Sequence, residues 1–102
     1  MLFLIQCFDG PDGREKRPPV RGEHLAHAEA QGRALRLAGP MLDDAGGPIG
    51  SVFVLDCPDR AAAEAFADAD PYQQAGVFAR RKITPMRALL GGWPKALPEP
   101  SP

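Results

Sequence analysis

The sequence is short of almost everything that announces a common chemistry. It has no Gly-rich phosphate loop, no His-Glu-x-x-His, no cysteine cluster and no Gly-x-Ser-x-Gly, which removes the usual signatures of nucleotide binding, zinc hydrolysis and serine hydrolysis. Its two cysteines, Cys7 and Cys57, have no short spacing, so they match no zinc or redox motif and read as reduced thiols packed like small apolar side chains. A surplus of cations is missing too, with 12 Lys and Arg against 13 Asp and Glu and a net charge of −1. Neutralising phosphates needs such a surplus, so nucleic acid is not an expected partner. Long apolar runs are also absent. The opening Met1-Leu2-Phe3-Leu4-Ile5 continues only to Phe8, carries no basic leader and stops at Asp9-Gly10-Pro11-Asp12-Gly13. It reads as a strand and a turn, not a signal peptide, and no segment has the roughly 18 apolar residues of a membrane span. A soluble, cytoplasmic protein with no membrane partner is the expectation.

What is present fits one small domain. A chain of 102 residues buries roughly 60–70% of the surface it exposes unfolded, enough for a thin core. Pro94, Pro98, Pro100 and Pro102 crowd its end, so the expected division is a domain over 1–90 and a flexible Pro-rich tail over 91–102, with Trp93 as the tail's only anchor.

Residues 2–8 and 51–57 are β-rich runs bounded by Gly, Pro and Asp, and both are apolar on both faces, as strands central to a covered sheet are. Pro18-Pro19 predict a helix start near residue 19, running to 33, because a fixed φ suits a first turn. A short strand over 34–38 stops at Gly39-Pro40, and 41–50 reads as a polar hairpin loop. Asp59 is an N-cap for the helix-forming run 60–68, which Pro71 ends. A last strand over 77–84 carries Arg80-Arg81-Lys82, which suits an exposed edge. The order β-α-β-β-α-β is that of an α+β, ferredoxin-like sandwich: a four-stranded antiparallel sheet with two helices on one face. Cys7 and Cys57 end antiparallel neighbours and so fall at opposite ends of that sheet, too far apart for a disulfide. The helices cover one face, yet the central strands are apolar on both, so a homodimer joined sheet to sheet is expected.

Few residues offer chemistry. His24 and His27 lie three apart on the first helix, a spacing that can converge on a metal, but no third ligand is in view; the plainer reading leaves one of them exposed and the expectation is no metal. Asp68-Ala69-Asp70-Pro71-Tyr72 puts an acid, a rigid stop and a phenol at the end of the second helix. An acid is unfavourable at a helix C-terminus, which asks for another reason, although local backbone bonding would also account for Asp70. Residues 14–21, with Arg14, Lys16, Arg17 and Arg21, are a basic loop in this reading, either solvated or holding an anion at the helix start.

Taken together, Glu15-Lys16-Arg17 and Arg21 before His24-Leu25, Ala38-Gly39-Pro40-Met41, Gly50-Ser51, and Ala67-Asp68-Ala69-Asp70-Pro71-Tyr72 with Ala75-Gly76-Val77 resemble the YCII-related family over residues 1 to about 87. The resemblance implies a dimeric α+β barrel fold and an active site built on a His and an Asp, matched here by His24 and Asp70. It also points to relatives that eliminate halide from chlorinated aromatic intermediates and to structural cousins among muconolactone isomerases. The loop 43–50 and the tail depart from the shared pattern, so substrate identity does not transfer. The function expected is a cofactor-independent lyase or isomerase acting on a small anionic substrate, aromatic ones included. His24 would be the base, Asp70 its partner, Arg17 or Arg21 the anion holder, and Ser51 and Tyr72 pocket walls. The alternative is a non-catalytic dimeric module that binds a small molecule or a protein, with His24 and Asp70 as a structural pair.

Overall fold

The computed structural model describes residues 1–91: β1 (Leu2–Asp9), α1 (Gly13–Glu29), β2 (Leu35–Leu42), β3 (Pro48–Asp56), α2 (Arg60–Ala69), α3 (Pro71–Gln74) and β4 (Phe78–Met86). The strands form one sheet in the order β2-β3-β1-β4, with every pair antiparallel. This is the ferredoxin-like α+β arrangement. The strand period of two decides what it buries: Phe3, Ile5 and Cys7 of β1 and Phe53 and Leu55 of β3 point one way and pack with Ala63, Phe66, Ala67 and Tyr72 from α2 and α3. Leu2, Leu4 and Phe8 point the other way, beside Val52, Val54 and the half-exposed Leu37. Among the described residues no helix covers that second face, and Arg80, with its guanidinium carbon 4.0 Å from the Phe8 ring centroid, is part of its dressing.

Several boundaries differ from the sequence reading. Helix α1 starts at Gly13 and ends at Glu29, so Pro18 and Pro19 lie inside it and residues 14–21 are helix, not loop. The chain has already turned at Gly10, where the Gly13 N–H bonds the Gly10 carbonyl, and the Lys16 N–H to the Asp12 carbonyl is a helical bond ahead of the prolines. Gly32, at φ 59°, then breaks the helical path before residue 33. Strand β2 runs through Gly39-Pro40 to Leu42 because it is an edge strand, where a proline's missing N–H removes no ladder bond to an outer neighbour. The loop therefore shrinks to residues 43–47, held by the Asp43 carboxylate accepting from the N–H groups of Ala45 and Gly47, and β3 begins at Pro48.

Other features agree with the sequence. The Asp59 side chain accepts from the Ala62 N–H at 2.9 Å, capping α2. Strand β4 is the other edge, displaced by a residue or two from the expected span, and its Arg81 pairs with Asp68 of α2. Cys7 is opposite Ser51 while the Cys57 N–H bonds the Met1 carbonyl, so the two free thiols are at opposite ends of the sheet. Among the described residues no helix is long and apolar enough to cross a membrane. The expected flexible tail and the Trp93 anchor lie, Gly91 apart, outside the described residues.

Candidate active site

The site begins at the junction of α2 and α3. Pro71 cannot continue α2, so the chain kinks at Asp70 and a new helical turn starts. Asp70 is thus both the C-cap of α2 and the N-cap of α3, and its carboxylate accepts from the Tyr72 N–H at 2.9 Å. This explains an acid that looked misplaced at a helix end: it serves the start of the next helix. The far end of α3 is closed by a Schellman motif, with Gly76 N–H to the Gln73 carbonyl at 3.1 Å and Val77 N–H to the Tyr72 carbonyl at 2.9 Å, and Gly76 at φ 82°. Tyr72 is therefore held through both its N–H and its carbonyl.

Across from this junction, α1 carries His24. Its Nδ1 is 2.7 Å from the Asp70 carboxylate, and its ring stacks on Tyr72 with centroids 3.7 Å apart and planes 8° from parallel. The carboxylate can only accept, so Nδ1 carries the proton and Nε2 is the nitrogen left to act. Asp70 is 1% exposed, so its oxygen is held for these two donors and not shared with bulk water.

Two turns earlier on α1, Arg17 enters the same region. Its guanidinium makes a bidentate pair with Asp9 at the end of β1, Nε to Oδ2 at 2.9 Å and Nη2 to Oδ1 at 2.7 Å. Nη2 also donates to the Ser51 hydroxyl at 3.4 Å, and the guanidinium carbon lies 5.0 Å from the Tyr72 ring centroid. Burial works against the charge on Arg17, but Asp9 and polar contact with Tyr72 outweigh it and hold the pKa above the ordinary arginine value.

His24, Arg17, Ser51 and Tyr72 come together around a cavity of about 140 Å³ between α1, β2 and β3, with Leu25, Ala28 and Phe53 among its apolar walls. Arg21 reaches its rim and is exposed. Asp70 is not in the wall; it lies behind His24, in contact with its Nδ1. His27 turns elsewhere: its Nε2–H donates to the Phe66 carbonyl at 2.9 Å and its ring stacks on Phe66, so the two histidines share no ligand, and both are half-buried, where one was expected to be exposed. Sequence reasoning missed Asp9, which had been read only as part of a turn. The available signal was an acid at a strand end followed eight residues later by an arginine, and the misplaced helix start hid it.

Residues 1–87 match a family profile described as the YCII-related domain. The chain belongs to the YCII-related family. Among YCII relatives, Protein YciI of Escherichia coli O6:H1 is 40% identical over 99 residues, covering 88% of this chain and 100% of its own. An uncharacterised protein of Haemophilus influenzae is 34% identical over 98 residues, with coverages of 88% and 100%. Of solved structures, the 5-chloro-2-hydroxyhydroquinone dehydrochlorinase TftG of Burkholderia phenoliruptrix AC1100, in complex with 2,5-dihydroxybenzoquinone, superposes with a TM-score of 0.78 at 27% identity, covering 85% of this chain and 94% of its own. An antibiotic biosynthesis monooxygenase matches at a TM-score of 0.53 and 20% identity, over 88% of this chain and all of its own, which shows the fold alone.

Proposed function

We propose that this YCII-related protein moves a proton on a small anionic substrate, aromatic ones included, in an isomerisation or an elimination, without a cofactor. The observation that carries the reading is His24 Nδ1 tied to the buried Asp70 while the ring borders a ring-sized cavity. Nε2 takes a proton from a substrate carbon, and Asp70 holds the tautomer and stabilises the imidazolium that results. The electron pair left on carbon then either picks the proton up at another position or expels a leaving group such as halide. Arg21 holds the substrate's anionic group, because the charge on Arg17 is already matched by Asp9. The quinone-bound dehydrochlorinase, similar in fold and partly in sequence, supports a small-molecule role of this kind. The working unit is a homodimer in which the uncovered sheet faces meet.

The test is hydrogen–deuterium exchange into a panel of hydroxylated ring acids and quinones, followed by NMR in D₂O. Exchange at one carbon is expected, slowed about 10²- to 10⁴-fold by His24→Ala and also markedly by Asp70→Asn. Exchange that survives both changes would overturn the mechanism.

A further inference from the structure

The hydroxyls of Ser51 and Tyr72 have a property that neither would have alone. A guanidinium has five N–H donors and no acceptor, so a hydroxyl meeting one can only accept from it. Ser51 Oγ accepts from Arg17 Nη2, and the Tyr72 hydroxyl is in polar contact with the same guanidinium. Each hydroxyl that accepts there must send its own proton in another direction, and both side chains line the cavity that His24 borders. Both residues are 3% exposed. Neither can swing away: Tyr72 is pinned by its backbone bonds and its stack on His24, and Ser51 lies in the middle of β3, opposite Cys7 and Pro40.

We infer that Ser51 and Tyr72 form a two-donor oxyanion site, oriented by the Asp9–Arg17 ion pair, for an oxygen of the ligand that carries or gains negative charge. Donors fixed in advance and aimed into a partly enclosed cavity stabilise such charge without reorganising. The inference rests on the proton transfer proposed above and narrows its substrate class. The reacting carbon must be a saturated one next to, or vinylogous with, a carbonyl, as in the keto form of a hydroxylated ring, so that when His24 removes its proton the electron pair passes to that carbonyl oxygen as an enolate or phenolate. The cavity of about 140 Å³ has room for a six-membered ring, and the wider groove that shares Arg17, Arg21, Pro40 and Tyr72 with it leaves space for substituents on that ring. Asp9 and Arg17 are positioning residues here, while Ser51 and Tyr72 touch the ligand.

The probe is 4-nitrophenol, whose ionised form is read directly by its visible absorbance, with nitrobenzene as the neutral counterpart. The wild-type protein is expected to bind the phenolate in preference to nitrobenzene and to lower the bound phenol's apparent pKa. Tyr72→Phe, which keeps the ring stacked on His24, and Ser51→Ala are each expected to weaken phenolate binding about 10-fold or more and leave nitrobenzene binding unchanged, since each removes one hydrogen bond to a charged oxygen. Ser51→Thr keeps the hydroxyl and should bind as the wild type does. Equal affinity of the wild type for the two probes, or unchanged phenolate affinity in both Tyr72→Phe and Ser51→Ala, would overturn the oxyanion site. The proton-transfer reading fails separately, if deuterium exchange survives His24→Ala while phenolate binding still depends on Ser51 and Tyr72.

Discussion

Asp9 and Arg17 show how much one residue's surroundings decide. Both side chains of this pair are at most 10% exposed, and removing one partner strands the other's charge out of water. Asp9→Ala is therefore expected to cost about 3–5 kcal/mol, read as a fall in the urea midpoint, well beyond what an exposed pair such as Arg14–Asp43 would lose. Cys7 gives a pH test. Burial first, and then the Asp70 carboxylate, push its thiol up to about 12 from an ordinary value near 9, with Arg81 opposing. Below about pH 9 the thiol is protonated in both folded and unfolded chains and its contribution to stability is fully present. Between about 9 and 12 only the unfolded chain releases the proton, so stability falls as pH rises. Urea midpoints measured across that range should fall less steeply for Cys7→Ala than for the wild type. That His24 and Asp70 meet is what the family resemblance implies, whereas the sequence pattern alone left Asp70 open to a purely local role. The partner of Arg17 was not legible, since an ion pair between two elements depends on where the helix begins.

At the level of elements, the sequence placed strands and helices in the right order and misjudged how prolines would behave. Pro18 and Pro19 were read as a helix start because that is where prolines cost least, but the turn at Gly10–Gly13 and the anchoring of Arg17 to Asp9 set the start earlier. Inside α1 the two rings deprive the Arg14 and Glu15 carbonyls of their helical donors. Pro19 is exposed, so Pro19→Ala should raise stability by about 1–2 kcal/mol, the helix gain less the entropy returned to the unfolded chain. Amide exchange along α1 would slow correspondingly. Pro40 misled in the same way, because an edge strand was invisible until the sheet order was known. Helix α3 and the turn that closes it at Gly76 were not expected from the sequence, where Pro71 only marks the end of α2. Gly76→Ala, forced into a positive φ, is expected to cost on the order of 1 kcal/mol and to weaken ligand binding through Tyr72 without touching the cavity.

For the molecule as a whole, the sheet face that no described helix covers is the surface on which assembly would act. Leu2, Leu4, Phe8, Val52 and Val54 lie on that face, with Gln6 between Leu4 and Phe8, and the expected dimer rests on these two strands being apolar on both sides. Light scattering is expected to give about twice the chain mass, and Leu4→Asp, which faces away from the helices, should yield a folded monomer. A wild-type monomer at micromolar concentration would remove the dimer from the proposal. The segment Asp70-Pro71-Tyr72 has a wider consequence. The same carboxylate that starts α3 also holds His24, and the same ring that fills the core also floors the cavity. Selection for thermal tolerance and selection for turnover would therefore converge on the same three positions, leaving them little room to drift while the rim around Arg21 stays free to adapt to new ligands.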